Sequence, residues 1–180
     1  KYWWTIESLD LVSHNLMTSE HRPARKPSAF DLEKCYETIP LIDGEHSLIA
    51  RVSLFLDLVF EPGLVFCSKL NWKGMPGSCY WVQESRAGEH DIAYTKQDLL
   101  QLIELTVTST AIFVGDYCAS QNLGIPMGSP ASVILLNIYR FTYEFGFVDR
   151  LVRLQPDLIH CTWELFAYVD DIGNFSDLDL

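Results

Sequence analysis

The sequence predicts an α+β fold on three observations. Apolar residues recur at helical spacing in several segments, most clearly at 48–59. Thr95, with Asp98 three residues later, resembles a capping box and begins another helix. Short apolar and aromatic runs flank the acidic pair at 170–171, as the two strands of a hairpin would. The 180 residues, 48% of them hydrophobic, suffice for one domain with a substantial core.

Four helices are predicted along the chain. They span about 4–17, 48–59, 95–110 and 132–154. Glu61-Pro62-Gly63 ends the second helix, because neither proline nor glycine continues one readily. Residues 64–93 mix aromatic side chains with glycine and proline, which indicates either a hairpin or a long irregular connection. No chemistry is assigned to that segment.

Composition excludes several classes of protein. The five cysteines are odd in number and contain no CxxC pair, so they indicate reduced thiols in an intracellular protein rather than a zinc site. No apolar run approaches the length of a membrane span, and no membrane partner is expected. The net charge of −11 argues against a polyanionic partner. That objection is limited, because a metal-binding core concentrates acids while basic surface can lie in other parts of a longer protein.

The tetrapeptide Tyr168-Val169-Asp170-Asp171 is the strongest chemical signal. It places two carboxylates at the predicted turn of a hairpin, where they repel each other unless a cation lies between them. Paired hard oxygen ligands favour Mg²⁺ or Mn²⁺ over zinc. The alternative is an ordinary turn, in which Asp-Asp is a common dipeptide.

A further acid lies in the second segment, which runs from Ala29 to Pro40. Asp31 follows Phe30, as it would at the end of a core strand, and Tyr36 and Pro40 follow at a spacing of Asp-x4-Tyr-x3-Pro. Taken alone, such an aspartate is most often a helix cap or a turn residue.

The third segment is the loop Gln121-Asn122-Leu123-Gly124-Ile125-Pro126-Met127-Gly128-Ser129-Pro130. Its glycines allow the backbone to approach a ligand closely, and its prolines stiffen the turns. The loop therefore suits a clamp for a flat base or a template strand. A plain connecting loop is the alternative.

The three segments, in this order, resemble motifs A, B and C of the palm of reverse transcriptases, and most of all those of the Penelope-like retroelements, which are relatives of telomerase. The resemblance extends to Ile39-Pro40, to the stretch Phe113-Val114-Gly115-Asp116-Tyr117 and to Tyr143-Glu144. Residues 64–93 are its weakest part. Ala167 departs from the pattern, because family members often carry arginine before the tyrosine of motif C. Cys35 is a second departure, at a position where an apolar residue is frequent.

The resemblance implies a polymerase palm with an antiparallel, RRM-like sheet backed by helices, as part of a right-hand polymerase. Residues 1–180 would cover part of the fingers and the palm, as a fragment whose thumb and upstream fingers lie elsewhere. The implied activity is RNA-directed DNA polymerisation, with two Mg²⁺ ions (Mn²⁺ being an alternative), an RNA template, a DNA primer and dNTPs. No protein partner is implied. The location would be intracellular, and nuclear for a eukaryotic retroelement.

The resemblance also implies roles for individual residues. Asp31 and Asp170 would bridge two cations about 3.5–4 Å apart, with Asp171 as the third carboxylate and the backbone carbonyl of Leu32 as an extra ligand. The ring of Tyr36 would lie beneath the sugar of the incoming nucleotide and exclude a 2′-hydroxyl; its alternative is a core tyrosine. The residues that would line the nucleotide and template side are Gln121, Gly124, Pro126, Met127 and Gly128. Tyr168 would lie near the primer terminus.

Two other functions stay open. An RNA-dependent RNA polymerase is disfavoured by Tyr36 and by Tyr-Val-Asp-Asp in place of Gly-Asp-Asp. A non-catalytic relic, in which the palm folds without polymerising, is disfavoured by the intact triad of Asp31, Asp170 and Asp171. A recently decayed element would nevertheless keep those acids.

Overall fold

The computed structural model describes residues 28–70, 76–88, 91–168 and 171–175. The helix predicted at 4–17 lies outside them. The helices are α1 (Cys35–Thr38), α2 (Leu48–Val59), α3 (Lys96–Thr108) and α4 (Ser132–Leu154). The strands are β1 (Ser28–Asp31), β2 (Leu64–Leu70), β3 (Pro76–Gln83), β4 (Asp91–Tyr94), β5 (Ala111–Val114), β6 (Tyr117–Ser120), β7 (Leu165–Tyr168) and β8 (Asp171–Asn174). Single 3₁₀ segments span Glu84–Arg86 and Pro156–Glu164.

These elements confirm the α+β class, with small antiparallel sheets and helices. The helices predicted at 48–59, 95–110 and 132–154 correspond to α2, α3 and α4. Among the described residues, none of the helices is both long and apolar enough to cross a lipid bilayer. The chain divides into two compact units, one of Lys1–Thr38 with Met127–Leu180 and the other of Ile39–Pro126.

The first unit contains a three-stranded antiparallel sheet in the order β1-β8-β7. Apolar side chains of β7 are buried, including Leu165 and Phe166, and the ring of Phe166 contacts Phe175 edge to face. The prediction that Asp31 ends a core strand is wrong in one respect, because all four residues of β1 are exposed. β1 is an edge strand of this sheet, and an edge strand packs less of its surface than a central one.

Helix α4 buries one stripe of residues spaced four apart: Ser132, Leu136, Arg140 and Glu144. Arg140 Nε lies 2.8 Å from Glu144 Oε1, and both side chains are only 7% exposed. Burial raises the pKa of Glu144, while the adjacent Arg140 guanidinium opposes that rise. The stripe therefore contains an ion pair within a single helix, removed from water.

The second unit contains α2, α3 and two sheets. Ser47 caps α2, since its hydroxyl accepts a hydrogen bond from Ala50 N at 3.2 Å. Thr95 and Asp98 form the predicted capping box at the start of α3, and hydrogen bonds from Thr95 lower the pKa of Asp98. Both caps satisfy amide groups that the first turn of a helix leaves unpaired.

The sheets of the second unit were only partly anticipated by the sequence. Strands β3, β2 and β4 pair in that order, so the hairpin alternative for residues 64–93 is confirmed and β4 is an additional strand. β5 and β6 form a separate hairpin around Gly115, which adopts a φ of +61°. All eight strand residues of the β5–β6 hairpin are exposed.

The cysteines whose side chains the structure describes are free thiols: Cys35, Cys67, Cys79 and Cys118. Cys67 is fully buried in β2, and this burial raises the pKa of its thiol. These thiols agree with the expectation of reduced cysteines.

Candidate functional site

Two acids of the predicted metal site lie opposite each other on neighbouring strands. β1 and β8 pair in antiparallel register, and Asp31 is the cross-strand partner of Asp171. Residues directly opposite in such a pair have Cβ atoms about 4.5–5.5 Å apart, on the same face of the sheet. Both residues are exposed to solvent. The register therefore brings together two acids that are far apart in the sequence.

This pair of carboxylates fits a divalent cation. Like charges directly opposite each other destabilise a strand pair. A cation held between Asp31 and Asp171 would remove that repulsion, and carboxylate oxygens are the donors that Mg²⁺ and Mn²⁺ take. The exposure of both residues leaves room for phosphate and water as further ligands.

Asp170, the remaining predicted acid, lies outside the described residues. Tyr168 is the last residue of β7 and the cross-strand partner of Asp171, so Val169 and Asp170 are the two residues that connect β7 to β8. Within the described ranges, no group of three histidine, cysteine, aspartate or glutamate side chains could hold a metal ion.

Leu32, whose carbonyl is the predicted extra ligand, begins the turn from β1 into α1. Its carbonyl oxygen accepts a hydrogen bond from Cys35 N at 3.1 Å. A carbonyl oxygen has two lone pairs, so one remains for a cation. Tyr36 follows as the second residue of α1 and is half-buried. Asp31, Leu32 and Tyr36 therefore lie on one short strand, turn and helix within the first unit.

Lys34 occupies an unusual conformation in this turn, with a φ of +55°. The Leu32–Cys35 hydrogen bond makes Lys34 the third residue of a four-residue turn, where a positive φ favours glycine or asparagine. Nothing in the sequence predicts this, because lysine normally avoids the left-handed region. A strained residue three positions after Asp31 is the feature that the motifs alone did not reveal.

We predict that Lys34→Gly stabilises the protein by about 0.5–1 kcal/mol, because glycine adopts a positive φ without the steric cost that a side chain imposes. The measurement is the free energy of unfolding in urea. Lys34→Ala is the matched control: it removes the charge but keeps the Cβ, so little change is expected. A Lys34→Gly protein no more stable than Lys34→Ala would contradict the assignment of strain.

The first half of the third-motif loop, residues 121–125, is held by hydrogen bonds within the loop and by bonds to the segment at 39–40. Gly124 is buried, has a φ of +84° and donates its N–H to Ile39 O at 2.8 Å, while Leu123 forms an isolated bridge with Pro40. Gln121 Nε2 donates to Leu123 O at 3.1 Å and to Gly124 O at 2.9 Å. These contacts all lie within the second unit.

The second half of this loop is more open. Pro126 is buried, whereas the Met127 side chain is 71% exposed. Gly128 is exposed with a φ of +92°, and a Cβ added there would meet no atom within 4 Å. Glycine is therefore favoured at 128 by backbone conformation and not by lack of space. Met127 and Gly128 belong to the first unit, unlike Gln121, Gly124 and Pro126.

No protein-family model matches this chain, and no curated protein matches it. The opposed carboxylates of β1 and β8 are the described side chains that could take part in holding a divalent cation, and Tyr36 lies in the helix that follows the turn after Asp31.

Proposed function

We propose that this chain is the palm part of a reverse transcriptase, an RNA-directed DNA polymerase that extends a DNA primer on an RNA template. The observation that carries the proposal is the register that makes Asp31 the partner of Asp171 in one antiparallel sheet. The strand of motif A and the hairpin of motif C would have to share such a sheet for their acids to act together. The order β1-β8-β7 supports that arrangement.

In the proposed reaction, the primer 3′-hydroxyl gives its proton to solvent water, and its oxygen attacks the α-phosphorus of a dNTP. A new phosphodiester bond forms as the bond to the β-phosphate breaks, and pyrophosphate leaves with the bonding electrons. Bound Mg²⁺ would make the hydroxyl more acidic and would neutralise charge on the leaving pyrophosphate. The residues that would hold it are Asp31, Asp170 and Asp171, with the Leu32 carbonyl in addition.

The other predicted residues would select and orient the substrates. Tyr36, half-buried at the start of α1, would limit the space below the sugar and so favour dNTPs over rNTPs. Met127 and Gly128, exposed at the open half of the loop, would present side chain and backbone to the nucleotide or template. Tyr168, adjacent in register to Asp171, would contact the primer terminus. An intracellular, nuclear location follows for a eukaryotic retroelement.

The net charge of −11 does not remove this function. Acids that hold metal ions are neutralised by them, so they count less against phosphate than their number suggests. The full-length enzyme would need basic surface outside this chain to release counterions from the duplex.

The test is primer extension by the full-length protein on an RNA template, with Mg²⁺ and either dNTPs or rNTPs. Products from dNTPs alone are expected. Products from rNTPs would instead indicate an RNA-dependent RNA polymerase, and no product from either would indicate a non-catalytic relic. Heat-treated protein and a reaction in chelator are the controls for contaminating activity.

A further inference from the structure

Gln121 is held by the loop in which it occurs. Its Nε2 lies 3.1 Å from Leu123 O and 2.9 Å from Gly124 O. Both acceptors are carbonyl oxygens, so the nitrogen must face them, and an amide nitrogen has two protons to give. Both are used within the loop, and only the acceptor oxygen of the side chain remains for any other group.

The loop that Gln121 holds is fixed in turn to the segment after α1. Gly124 N donates to Ile39 O at 2.8 Å, and Leu123 pairs with Pro40. Ile39 and Ile125 are 4% and 1% exposed, so this attachment is buried. The same segment is also bonded to the start of α2, where Leu48 N donates a hydrogen bond to Pro40 O at 2.7 Å.

Gln121 also joins the loop to the strand pair before it. Its own backbone N–H donates to Thr110 O at 3.3 Å, at the base of the β5–β6 hairpin. One residue therefore ties three pieces of the second unit together: the base of the hairpin, the carbonyls of the loop and, through Gly124, the segment at 39–40. The left-handed conformation of Gly124, with a φ of +84°, gives the loop backbone the turn that this arrangement needs.

We propose that Gln121 is a positioning residue, which fixes the first half of the loop against Ile39 and Pro40, and that its amide group does not donate to nucleotide or template. This changes the role that the resemblance implies for Gln121. The kinetic part of the inference rests on the proposed polymerase function, whereas its structural part does not. The open half of the loop, at Met127 and Gly128, keeps the role of contacting substrate.

The structural test is hydrogen exchange of the Gly124 amide in the full-length protein without nucleotide or nucleic acid. Gln121→Met keeps the size of the side chain and removes both hydrogen bonds. Exchange at Gly124 is expected to be about tenfold faster, the factor that corresponds to a loss of about 1.4 kcal/mol of hydrogen bonding. Gln121→Glu directs a carboxylate at the same two carbonyls and is expected to have at least that effect.

Gln101→Met is the matched control, because Gln101 is exposed on α3 in the same unit. It should leave exchange at Gly124 unchanged. Exchange within α3 reports whether each variant remains folded. Unchanged exchange at Gly124 in folded Gln121→Met would overturn the proposal, whether or not the protein polymerises.

The kinetic test separates a positioning role from a general loss of folded protein. In Gln121→Met we expect the KM for dNTPs to rise about three- to tenfold, by the same factor for all four bases, with kcat much less affected. A purely structural defect would lower kcat and leave KM unchanged. An effect confined to one base would indicate direct recognition and contradict the proposal. If no polymerase activity exists at all, the exchange result alone decides the role of Gln121.

Discussion

Asp31→Asn is expected to abolish DNA synthesis and, at the same time, to stabilise the metal-free protein. Asparagine has nearly the shape of aspartate, so the strand pair is retained while an anionic ligand is lost. We expect primer extension to fall by about a thousandfold or more, which corresponds to roughly 4 kcal/mol of transition-state stabilisation. Asp170→Asn should likewise stop synthesis without unfolding the protein.

The stability gain follows from the register of β1 and β8. Asp31 and Asp171 are cross-strand partners, and relief of such a like-charge pair contributes about 0.2–1 kcal/mol. Urea unfolding in chelator is the measurement. Asp171→Asn should give a similar gain, and the double variant should add little beyond either single change, because one substitution already removes the repulsion. Asp43→Asn, at an exposed aspartate of the other unit, is the control.

Magnesium should reverse the order of stabilities. A cation at one hundred times its dissociation constant stabilises the protein that binds it by about 2.7 kcal/mol, so the wild type should gain on addition of Mg²⁺ while Asp31→Asn gains much less. Retained synthesis by Asp31→Asn would contradict the metal site. Equal stability of the wild type and Asp31→Asn in chelator would contradict the predicted repulsion between the carboxylates of Asp31 and Asp171.

Tyr36→Val is expected to raise the use of ribonucleotides relative to deoxynucleotides by about 10- to 100-fold, the range that pocket size alone can discriminate. Removal of the ring would open space for a 2′-hydroxyl, while the acids that hold the cation stay in place. The measurement is the ratio of kcat/KM for rNTP and dNTP on the same primer and template. Tyr36→Ala should act in the same direction.

Tyr36→Phe is the matched control for this prediction. It keeps the ring and removes only the hydroxyl, so exclusion of the 2′-hydroxyl should persist. Unchanged sugar selectivity in Tyr36→Val, with synthesis retained, would assign the half-buried ring to packing rather than to selection.

Signals that act over a few residues predicted much of this fold. The capping box at Thr95 and Asp98 begins α3, and the apolar spacing from Leu48 places α2, because both features act within one or two helical turns. The strands β4, β5 and β6 were not predicted. Each has only four residues, too few for alternation to stand out from the surrounding loops.

The candidate site depends on contacts that local patterns do not encode. The opposition of Asp31 and Asp171 is set by strand register, and a shift of one residue would turn one of the side chains to the other face. Only the resemblance to reverse transcriptases predicted that the two acids share a sheet. The conformation of Lys34 and the hydrogen bonds of the Gln121 side chain are visible only in the structure. Neither lysine nor glutamine is a residue type that predicts such a conformation or such bonds.

The exposure of the β5–β6 hairpin affects which part of the second unit can unfold locally. All of its residues are exposed, so almost no buried apolar surface supports its backbone bonds, and a two-stranded ribbon by itself is only marginally stable in water. Such a ribbon can peel away at small energetic cost while the neighbouring helices remain formed. Phe113 and Tyr117 are 74% and 81% exposed, so the hairpin also presents apolar surface to which other chains can bind.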